Sequence, residues 1–506
     1  MDSKLIDAAR AAFPAGAPAL TLGAPLSGAE CHPECLITLP LAMVNRHGLI
    51  AGATGTGKTK TLQLIAEQLS GAGVAVFLAD IKGDLSGIGV AGEGGERVAQ
   101  RATATGYTWK PAACPVEFLS LTGVRGAQVR ATVSSFGPLL LAKVLGLNET
   151  QSSVLSLVFK YADDKHYELY DFADLRAVLK HLSGDGADEL KDYGGMSKAT
   201  VGVLLREMVE LEQQGALAFF GEPELELGDL MHTERDGRGL ITVLDLQDVQ
   251  DKPALFSTFM MWMLARLYHE LPELGDVEKP KLAFFFDEAH LLFDGASKAF
   301  LEQVEQVVRL IRSKGVGVYF VTQSPKDVPA EVLGQLGHKV QHALRAFTPD
   351  DAAALKAAAR TFPKTAFYDV EQTLQSLGIG EALVTVLSPA GVPTPPFATR
   401  LVPPASRMGP LTDAERTQRL GASAQVTKYR AAVNRESAAE KLEARATAAA
   451  SEPDAAARAA PGARAAKAPP SALEEILSSP VTRTVAGALT RGLMGALLGP
   501  PRRRRY

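Results

Sequence analysis

Short apolar runs alternate with amphipathic stretches up to about residue 404, which predicts α/β architecture with a parallel sheet. The runs are HGLIAG from His47, VAVFLAD to Asp80, GLITVLDL to Leu246, KLAFFFDE to Glu288 and GVGVYFVTQ to Gln323, with EALVTVL to Leu387 as a later edge strand. Each run is apolar throughout, as expected of strands that helices cover on both faces.

Helical periodicity replaces the strand pattern over residues 131–230, for example at Val154, Leu155 and Val158. We therefore predict a helical insertion there, which divides the α/β core into residues 1–130 and 231–404. The most apolar helix-like run, residues 254–271, contains Arg266 and His269. It is predicted to be a core helix and not a membrane span.

Alanine and arginine dominate after residue 404, and apolar bulk there is too sparse to offset the entropy of ordering. This composition predicts a flexible linker over residues 405–470. Within residues 471–506, apolar residues recur every four positions from Val481 to Leu497, and the chain ends in RRRRY. That spacing predicts an amphipathic helix followed by a basic tail.

Composition and charge narrow the classes of protein. The 506 residues are 46% hydrophobic and 22% charged, which excludes collagen-like, disulfide-stapled and wholly disordered proteins. Three cysteines and the absence of a secretory start favour a reducing, cytoplasmic setting. The net charge is −4, but residues 1–400 alone carry −12, so contact with nucleic acid would need a local basic stripe.

The strongest chemical motif is GATGTGKT, which follows a predicted strand and precedes a predicted helix. It consists of Gly52, Ala53, Thr54, Gly55, Thr56, Gly57, Lys58 and Thr59. Glycines let backbone N–H groups turn toward phosphate oxygens at a helix N-terminus. Lys58 is predicted to neutralise the β- and γ-phosphates of ATP, and the Thr59 hydroxyl to bind Mg²⁺.

An acidic pair, Asp287 and Glu288, ends the strand FFF. We predict that Asp287 lies on the metal side and that Glu288 is the base that polarises the attacking water. The alternative is a solvated acidic pair. The string DEAH is treated as coincidental, since no arginine-rich helicase motif of that class follows it.

Four further residues are candidates with open alternatives. Gln323 ends the next strand, where it would sense the γ-phosphate or position water, or else cap a turn. Arg309 and Arg312 lie three residues apart on a helix, and either is a candidate arginine finger for a neighbouring subunit. Arg345 is a rival finger, and a surface helix that carries two arginines is the plainer interpretation.

Two weaker features complete the set. Asp80 ends a strand at the same sheet edge, where it orders the nucleotide site or forms a turn. Cys31, His32 and Cys35 have metal-capable side chains, but no second cluster supplies a fourth ligand, so ordinary thiols are favoured.

Several blocks in order resemble the HerA-like ATPases of the HerA/FtsK superfamily, specifically the bacterial subgroup called YjgR. They are the phosphate-binding loop GATGTGKT, called the P-loop below, and the segments FFFDEAHLLF, VVRLIRSKGVGVYFVTQ and LGQLGHKVQHALRAFTP. The resemblance implies a P-loop NTPase core of the additional-strand type, with a RecA-like, mostly parallel sheet. It also implies a homo-oligomeric ring, such as a hexamer, similar to motors on duplex DNA. By position Lys58, Thr59, Asp287, Glu288 and Gln323 match the family's site residues, and Arg312 matches its finger region approximately.

The predicted function is ATP hydrolysis with Mg²⁺ by an oligomeric motor that acts on DNA. The alternative is a nucleotide-gated scaffold ATPase that acts on a protein partner, which the acidic core favours. A small-molecule kinase is a third interpretation, and the acidic pair favours hydrolysis over transfer. No membrane span is predicted.

Overall fold

One mixed sheet organises the described chain, which in this computed structural model comprises residues 2–294 and 298–458. Thirteen strands form it. They are β1 (Ala19–Ser27), β2 (Glu30–Cys31), β3 (Ile37–Pro40), β4 (Gly48–Ala51), β5 (Ala75–Asp80), β6 (Val116–Ser120), β7 (Ala127–Gln128), β8 (Ile241–Asp245), β9 (Leu282–Phe286), β10 (Val316–Thr322), β11 (His338–His342), β12 (Glu381–Thr385) and β13 (Phe397–Leu401).

The strand order is β2-β1-β13-β12-β11-β4-β10-β9-β5-β8-β6-β7, with β3 paired to β1. All pairs from β11 to β7 are parallel, whereas β12, β13 and β1 continue the sheet antiparallel. The mostly parallel α/β fold predicted from the apolar runs is thus confirmed. EALVTVL forms β12, which lies inside the sheet, so its prediction as an edge strand is wrong: β13 and β1 pair beyond it.

The helices among the described residues cover both sheet faces. They are α1 (Asp2–Ala12), α2 (Lys58–Gly71), α3 (Glu96–Thr105), α4 (Val133–Val144), α5 (Glu149–Asp164), α6 (Phe172–Ser183), α7 (Lys198–Gln213), α8 (Ala216–Phe219), α9 (Leu227–Leu230), α10 (Pro253–Glu270), α11 (His290–Phe293), α12 (Lys298–Leu310), α13 (Ala330–Leu333), α14 (Pro349–Arg360), α15 (Val370–Ser376), α16 (Asp413–Ala422), α17 (Ala424–Tyr429) and α18 (Ala438–Arg458). Short 3₁₀ helices connect them at Leu41–Arg46, Ser86–Gly89, Ala187–Tyr193, Gln247–Val249, Ile311–Lys314 and Pro325–Asp327.

Successive residues of the central strands point to opposite faces, so each strand feeds two cores. Phe77 and Ala79 of β5 pack with α10 and with helices from residues 131–230. Val76 and Leu78 of the same strand pack with α2. Burial on both faces explains why these strands are apolar at every position. It also places α10, whose Trp262 is fully buried, in the core. Among the described residues no helix is both long and apolar enough to cross a membrane.

Residues 131–230 contain α4 to α9, as the helical periodicity predicts. Besides β1, β2, β3, β11 and β13, the two strands just before this segment, β6 and β7, were not predicted. β6 extends the parallel sheet next to β8, but its sequence VEFLS begins with the half-buried residues Val116 and Glu117 and is short. The mixed pattern hides it from a search for continuous apolar runs.

Residues 405–458 contain three helices where composition predicted a flexible linker. In this segment Tyr429 of α17 is fully buried, and Arg416 of α16 pairs with Asp245 at the end of β8. The chain divides into two units, Met1–Ala444 and Arg445–Tyr506, and the following sections concern the first. In the second unit the described residues, 445–458, are helical. The predicted C-terminal amphipathic helix and basic tail lie outside the described residues.

Candidate nucleotide site

The GATGTGKT loop joins β4 to α2 at the carboxyl edge of the parallel strands. In the register of the sheet, Ala51 of β4 lies beside Thr322 of β10 and Gln341 of β11. Two hydrogen bonds anchor the loop to both neighbours: Gly52 N donates to Thr322 O (3.2 Å), and Ala53 N donates to Ala343 O (2.9 Å). The neighbouring strands therefore hold the start of the loop in place, and α2 begins at Lys58.

Glycine is required in this loop for two physical reasons. Gly52, Gly55 and Gly57 have φ of 151°, 79° and 115°, in the region that L side chains rarely adopt. A Cβ at Gly52 would lie 2.5 Å from Cβ of His342, a fully buried residue at the end of β11. The backbone can thus curve around a phosphate group and still pack closely on the sheet.

Lys58 is buried at the start of α2, with 8% of its surface exposed. Its Nζ donates to Ala53 O (3.2 Å), and so does Thr56 Oγ1 (2.7 Å). Burial lowers the pKa of Lys58, while the nearby Glu288 carboxylate acts in the opposite direction. The ammonium group thus lies against the loop's own backbone, where an anion in the loop would supply the missing counter-charge. Thr59 is half-buried in the first turn of α2.

Three carboxylates lie together at the ends of β5 and β9. Ligand oxygens of Asp80, Asp84 and Asp287 lie within 4.8 Å of one another. Asp287 Oδ1 accepts from Glu288 N (3.0 Å), and no described residue donates to its buried Oδ2. Burial, together with the Glu288 and Asp84 charges, raises the pKa of Asp287 to about 6. Burial and the Asp84 charge raise the pKa of Asp80 to about 7. This oxygen-only donor set with an orphaned buried oxygen fits a hard divalent cation such as Mg²⁺.

Glu288 is held in an unusual position beside this cluster. Its backbone has φ of 50°, a left-handed conformation that is costly for a side chain without a special role. Its Oε1 forms an ion pair with Lys82, and its Oε2 lies 3.2 Å from His290 Nδ1. Only 4% of the residue is exposed. The carboxylate is therefore fixed at the same edge as the P-loop.

Gln323 lines a cleft of about 880 Å³ above the tip of the P-loop. The cleft is bordered by Ala53, Thr54, His290, Gln323, Arg345 and Phe347. Gln323 is exposed, and the following turn is closed by Asp327, whose Oδ2 accepts from Thr322 Oγ1 (2.7 Å). The structure thus brings Gln323 and Arg345 to the loop of their own chain. Arg345 Nη1 donates to Gln375 O (2.9 Å).

Arg309 and Arg312 lie at the opposite edge of the sheet. They line a second cavity, of about 540 Å³, with Gly337, which directly precedes β11, and Arg46, which lies two residues before β4. Arg309 pairs with Glu305 of its own helix, and Arg312 lies 4.0 Å from Asp276. The structure does not bring either arginine to the P-loop of its own chain.

Four residues at the site were missed or undervalued from the sequence. Lys82 and Asp84 follow β5 in the string DIKGDL, and Lys60 lies in α2 close to Asp84 and Asp80. His342 Nε2 and Thr61 Oγ1 share a hydrogen bond (2.8 Å) beneath the loop. Charged residues directly after a buried strand, at the edge that holds the P-loop, were the available signal.

Cys31 and Cys35 are free thiols.

Comparison with known proteins identifies the family. The sequence model of the family described as Helicase HerA-like C-terminal matches residues 28–505. The chain belongs to this HerA-like family. The resemblance inferred from the ordered motif blocks is thereby confirmed, and with it the P-loop NTPase class of the core.

Individual relatives of the HerA-like chain are distant. A probable helicase of Methanocaldococcus jannaschii is 29% identical over 154 residues, which are 28% of this chain and 28% of that protein. The match therefore spans little more than a quarter of the relative. Among solved structures, the bacterial conjugative coupling protein TrwBdeltaN70 is 14% identical, with a TM-score of 0.49 over 78% of this chain and 91% of that chain. VirB4 of Thermoanaerobacter pseudethanolicus is 14% identical, with a TM-score of 0.47 over 80% of this chain and 99% of that chain.

Proposed function

We propose that this HerA-like chain hydrolyses ATP with Mg²⁺ at the edge formed by β4, β9, β5 and β10. The observation that carries the proposal is the convergence of a P-loop and its buried Lys58 with the orphaned oxygen of Asp287 and the fixed carboxylate of Glu288. Phosphoryl transfer needs little covalent chemistry from the protein and depends on positioning and charge. These residues supply both.

Each residue has a separate task in this proposal. Backbone N–H groups of residues 52–59 and the Lys58 ammonium bind the phosphates. Thr59 and Asp287 hold Mg²⁺, which when bound supplies Lewis-acid polarisation of phosphate oxygens. Glu288 orients the attacking water and accepts its proton at a carboxylate oxygen. Gln323, exposed in the cleft above the loop tip, orients the same water or contacts the γ-phosphate.

Two variants separate binding from turnover. Lys58→Ala removes a unit charge from a partly desolvated phosphate site, so ATP binding should fall by at least about a hundredfold. Glu288→Gln keeps the phosphate contacts and should bind ATP within a fewfold of the parent, while kcat falls by about a hundredfold or more. Direct binding and steady-state ATPase assays measure the two effects. The exposed Glu331→Gln and Lys356→Ala are matched controls. Equal loss of ATP affinity in Lys58→Ala and Glu288→Gln would refute the two roles.

The oligomeric part of the proposal concerns Arg309 and Arg312. Both lie at the sheet edge opposite their own P-loop. Each would therefore act as a finger only in the site of an adjacent subunit of a homo-oligomeric ring. This arrangement makes hydrolysis depend on assembly, and the specific activity should rise with protein concentration.

DNA is the proposed substrate of the motor. The family description and the name of the archaeal relative both contain the word helicase, which supports this proposal. Stimulation of ATP hydrolysis by duplex DNA at moderate salt tests it. Binding that depends on phosphate contacts should weaken steeply as salt rises.

A nucleotide-gated scaffold that acts on a protein partner is the second candidate, and the net charge of −12 over residues 1–400 favours it. Hydrolysis that duplex DNA does not change, in assembled protein, would reject the DNA motor and leave the scaffold.

A further inference from the structure

The order of the strands constrains the direction in which the base of a nucleotide bound at the P-loop would point. The acidic pair follows β9, Gln323 follows β10, and both strands lie on the same side of β4. The γ-phosphate must face these groups for hydrolysis. The nucleoside must then extend to the other side of β4, toward β11 and β12.

A short loop lies on that other side, in contact with the P-loop. β12 is antiparallel to β11, and Ala382 at its start pairs with His342 at the end of β11. Residues 378–380, which precede β12, therefore lie at the nucleotide edge. Gly380 N donates to Thr56 O (2.9 Å). A Cβ at Gly57 would lie 3.4 Å from Gly380 Cα, so the two loops touch.

This loop presents an apolar side chain to the surface. Ile379 is 72% exposed, although it lies between two glycines and next to a motif for a charged ligand. An exposed isoleucine is unremarkable by itself. Here it lies beside the P-loop, on the side toward which the nucleoside of a bound nucleotide would extend, and a base ring can stack on an apolar side chain.

Arg101 of α3 fixes the loop from beneath. Its guanidinium donates to Gly380 O (3.0 Å) and to Ile379 O (2.9 Å). Glu381 Oε2 accepts from Gly378 N (2.8 Å), and Arg400 in turn binds Glu381 Oε1 through Nη2 (3.0 Å). The loop is thus preorganised before any ligand binds, which lowers the entropy lost on binding.

The same bonds leave little backbone for reading a base. Arg101 already uses the carbonyl oxygens of Ile379 and Gly380, and Glu381 N donates to Gly378 O (3.1 Å). To discriminate between adenine and guanine, a protein needs hydrogen-bond donors and acceptors that pair with one base and are left unpaired by the other. An apolar contact has no such preference.

We propose that residues 378–380 form the nucleobase platform of this site, with Ile379 as its apolar contact, and that the platform accepts adenine and guanine alike. This inference rests on the proposed function, since it assumes that the P-loop binds a nucleoside triphosphate. Ile379 supplies part of the binding energy, and Arg101 is a positioning residue that holds the loop in place.

Calorimetry with three ligands tests the platform: the non-hydrolysable analogues AMPPNP and GMPPNP, and inorganic tripolyphosphate, each with Mg²⁺. Wild type should bind the two analogues with Kd values within about threefold of each other. Ile379→Ala should raise the Kd for both analogues by about five- to tenfold, because apolar contact area is lost. Its Kd for tripolyphosphate should stay the same. Val392→Ala, at an exposed valine (60%) beyond the other end of β12, should change none of the three.

A second pair of variants tests the positioning role. Arg101→Ala should lower the affinity for both analogues and leave the affinity for tripolyphosphate the same. Arg101→Lys should recover part of the lost affinity for the analogues. A structural defect of the whole core would instead weaken tripolyphosphate too.

Any of three outcomes would overturn the platform. The first is an Ile379→Ala protein whose Kd values for both analogues stay within twofold of wild type, and the second is one whose affinity for tripolyphosphate falls as much as its affinity for the analogues. The third is a wild-type protein that binds one purine analogue more than tenfold more tightly than the other. Failure of the proposed function looks different. In that case wild type binds neither an analogue nor tripolyphosphate.

Discussion

Lys82, two residues beyond β5, forms an ion pair with Oε1 of Glu288, two residues beyond β9. The lysine side chain is 48% exposed, whereas the glutamate side chain is 5% exposed. The buried carboxylate therefore has a cation partner that reaches it from the solvent side. Since β5 and β9 are adjacent parallel strands, the sheet itself brings the two side chains together. This pair links the strand that follows α2 to the proposed general base.

Removal of Lys82 should impair turnover more than binding. Lys82→Ala leaves Glu288 buried beside Asp287 without its cation, so the carboxylate loses its fixed position. We expect kcat to fall by about tenfold or more while the Kd for ATP changes by less than about threefold. Lys82→Arg keeps the charge and should recover a substantial part of kcat. Steady-state kinetics combined with direct ATP binding measure the split.

The matched control is Lys160→Ala, which removes the lysine of an exposed ion pair with Asp164 on α5. It should leave both constants unchanged. A Lys82→Ala protein with wild-type kcat, or one whose ATP affinity falls in parallel with kcat, would show that Lys82 does not position Glu288.

Mixed assemblies test whether an arginine acts between subunits. Lys58→Ala subunits retain Arg312, and Arg312→Ala subunits retain an intact P-loop. If Arg312 enters a neighbour's site, mixing two poorly active variants should produce interfaces that combine an intact P-loop with an intact finger. ATPase activity should then rise above that of either variant alone. Native mass spectrometry verifies that the mixed assemblies form.

The same mixture made with Arg309→Ala identifies which arginine acts. Verified mixed assemblies that remain inactive with both arginine variants would assign these residues a role in cis or a structural one. Activity of Arg312→Ala alone at the wild-type level would also remove it from the site.

Most of the parallel core and the P-loop could be predicted because each follows from local sequence. Strands buried on both faces must be apolar throughout, and a phosphate loop needs glycines at fixed spacing before a lysine. The acidic pair was predicted from its position after FFF. Asp84 and Lys82 were missed because their contact with Asp287 and Glu288 spans more than 200 residues and depends on which strands are neighbours.

The segment after residue 404 shows a different limit of composition. Its residues are mostly small or charged, yet Tyr429 is fully buried, and its hydroxyl accepts a hydrogen bond from Glu226 N (3.0 Å). One buried aromatic side chain, one buried ion pair and several hydrogen bonds to the core, such as those of Ser423 and Gln425, order a stretch that its average hydrophobicity predicts to be flexible. Such anchoring depends on a surface elsewhere in the fold, which the local sequence does not contain.

Buried histidines should make the protein sensitive to acid. His338 Nε2 donates to Met43 O (2.7 Å), and its Nδ1 accepts from Leu387 N (3.3 Å), so the neutral ring satisfies both partners. Burial lowers the pKa of His338 to about 4. A lowered pKa means that the unfolded chain binds the proton first, so stability falls as pH drops from about 6.5 to about 4. The loss from this group is about 3 kcal/mol.

Urea unfolding of wild type and His338→Gln at about pH 7 and about pH 4.5 measures this contribution. The raised pKa values of Asp80 and Asp287 act in the opposite direction over this range, so the difference between the two proteins is the informative quantity. The free energy of unfolding should fall less with pH in His338→Gln than in wild type. An identical pH dependence in both would show that His338 does not titrate with unfolding.

Removal of Arg416 from its ion pair with Asp245 should be strongly destabilising, because both groups are nearly inaccessible and the remaining carboxylate stays buried. Their side chains are 8% and 2% exposed, and Arg416 Nη1 lies 2.8 Å from Asp245 Oδ2. Arg416→Ala leaves a buried carboxylate with Arg125 as its remaining cation, which should cost about 3 kcal/mol of unfolding free energy. Arg435→Ala is the control: its side chain is 64% exposed, and its pair with Glu222 should contribute less than about 1 kcal/mol. Urea midpoints of the two variants measure the contrast. If Arg416→Ala unfolds at the same midpoint as Arg435→Ala, α16 is not anchored to the core through this pair, and the order of residues 405–444 must come from other contacts.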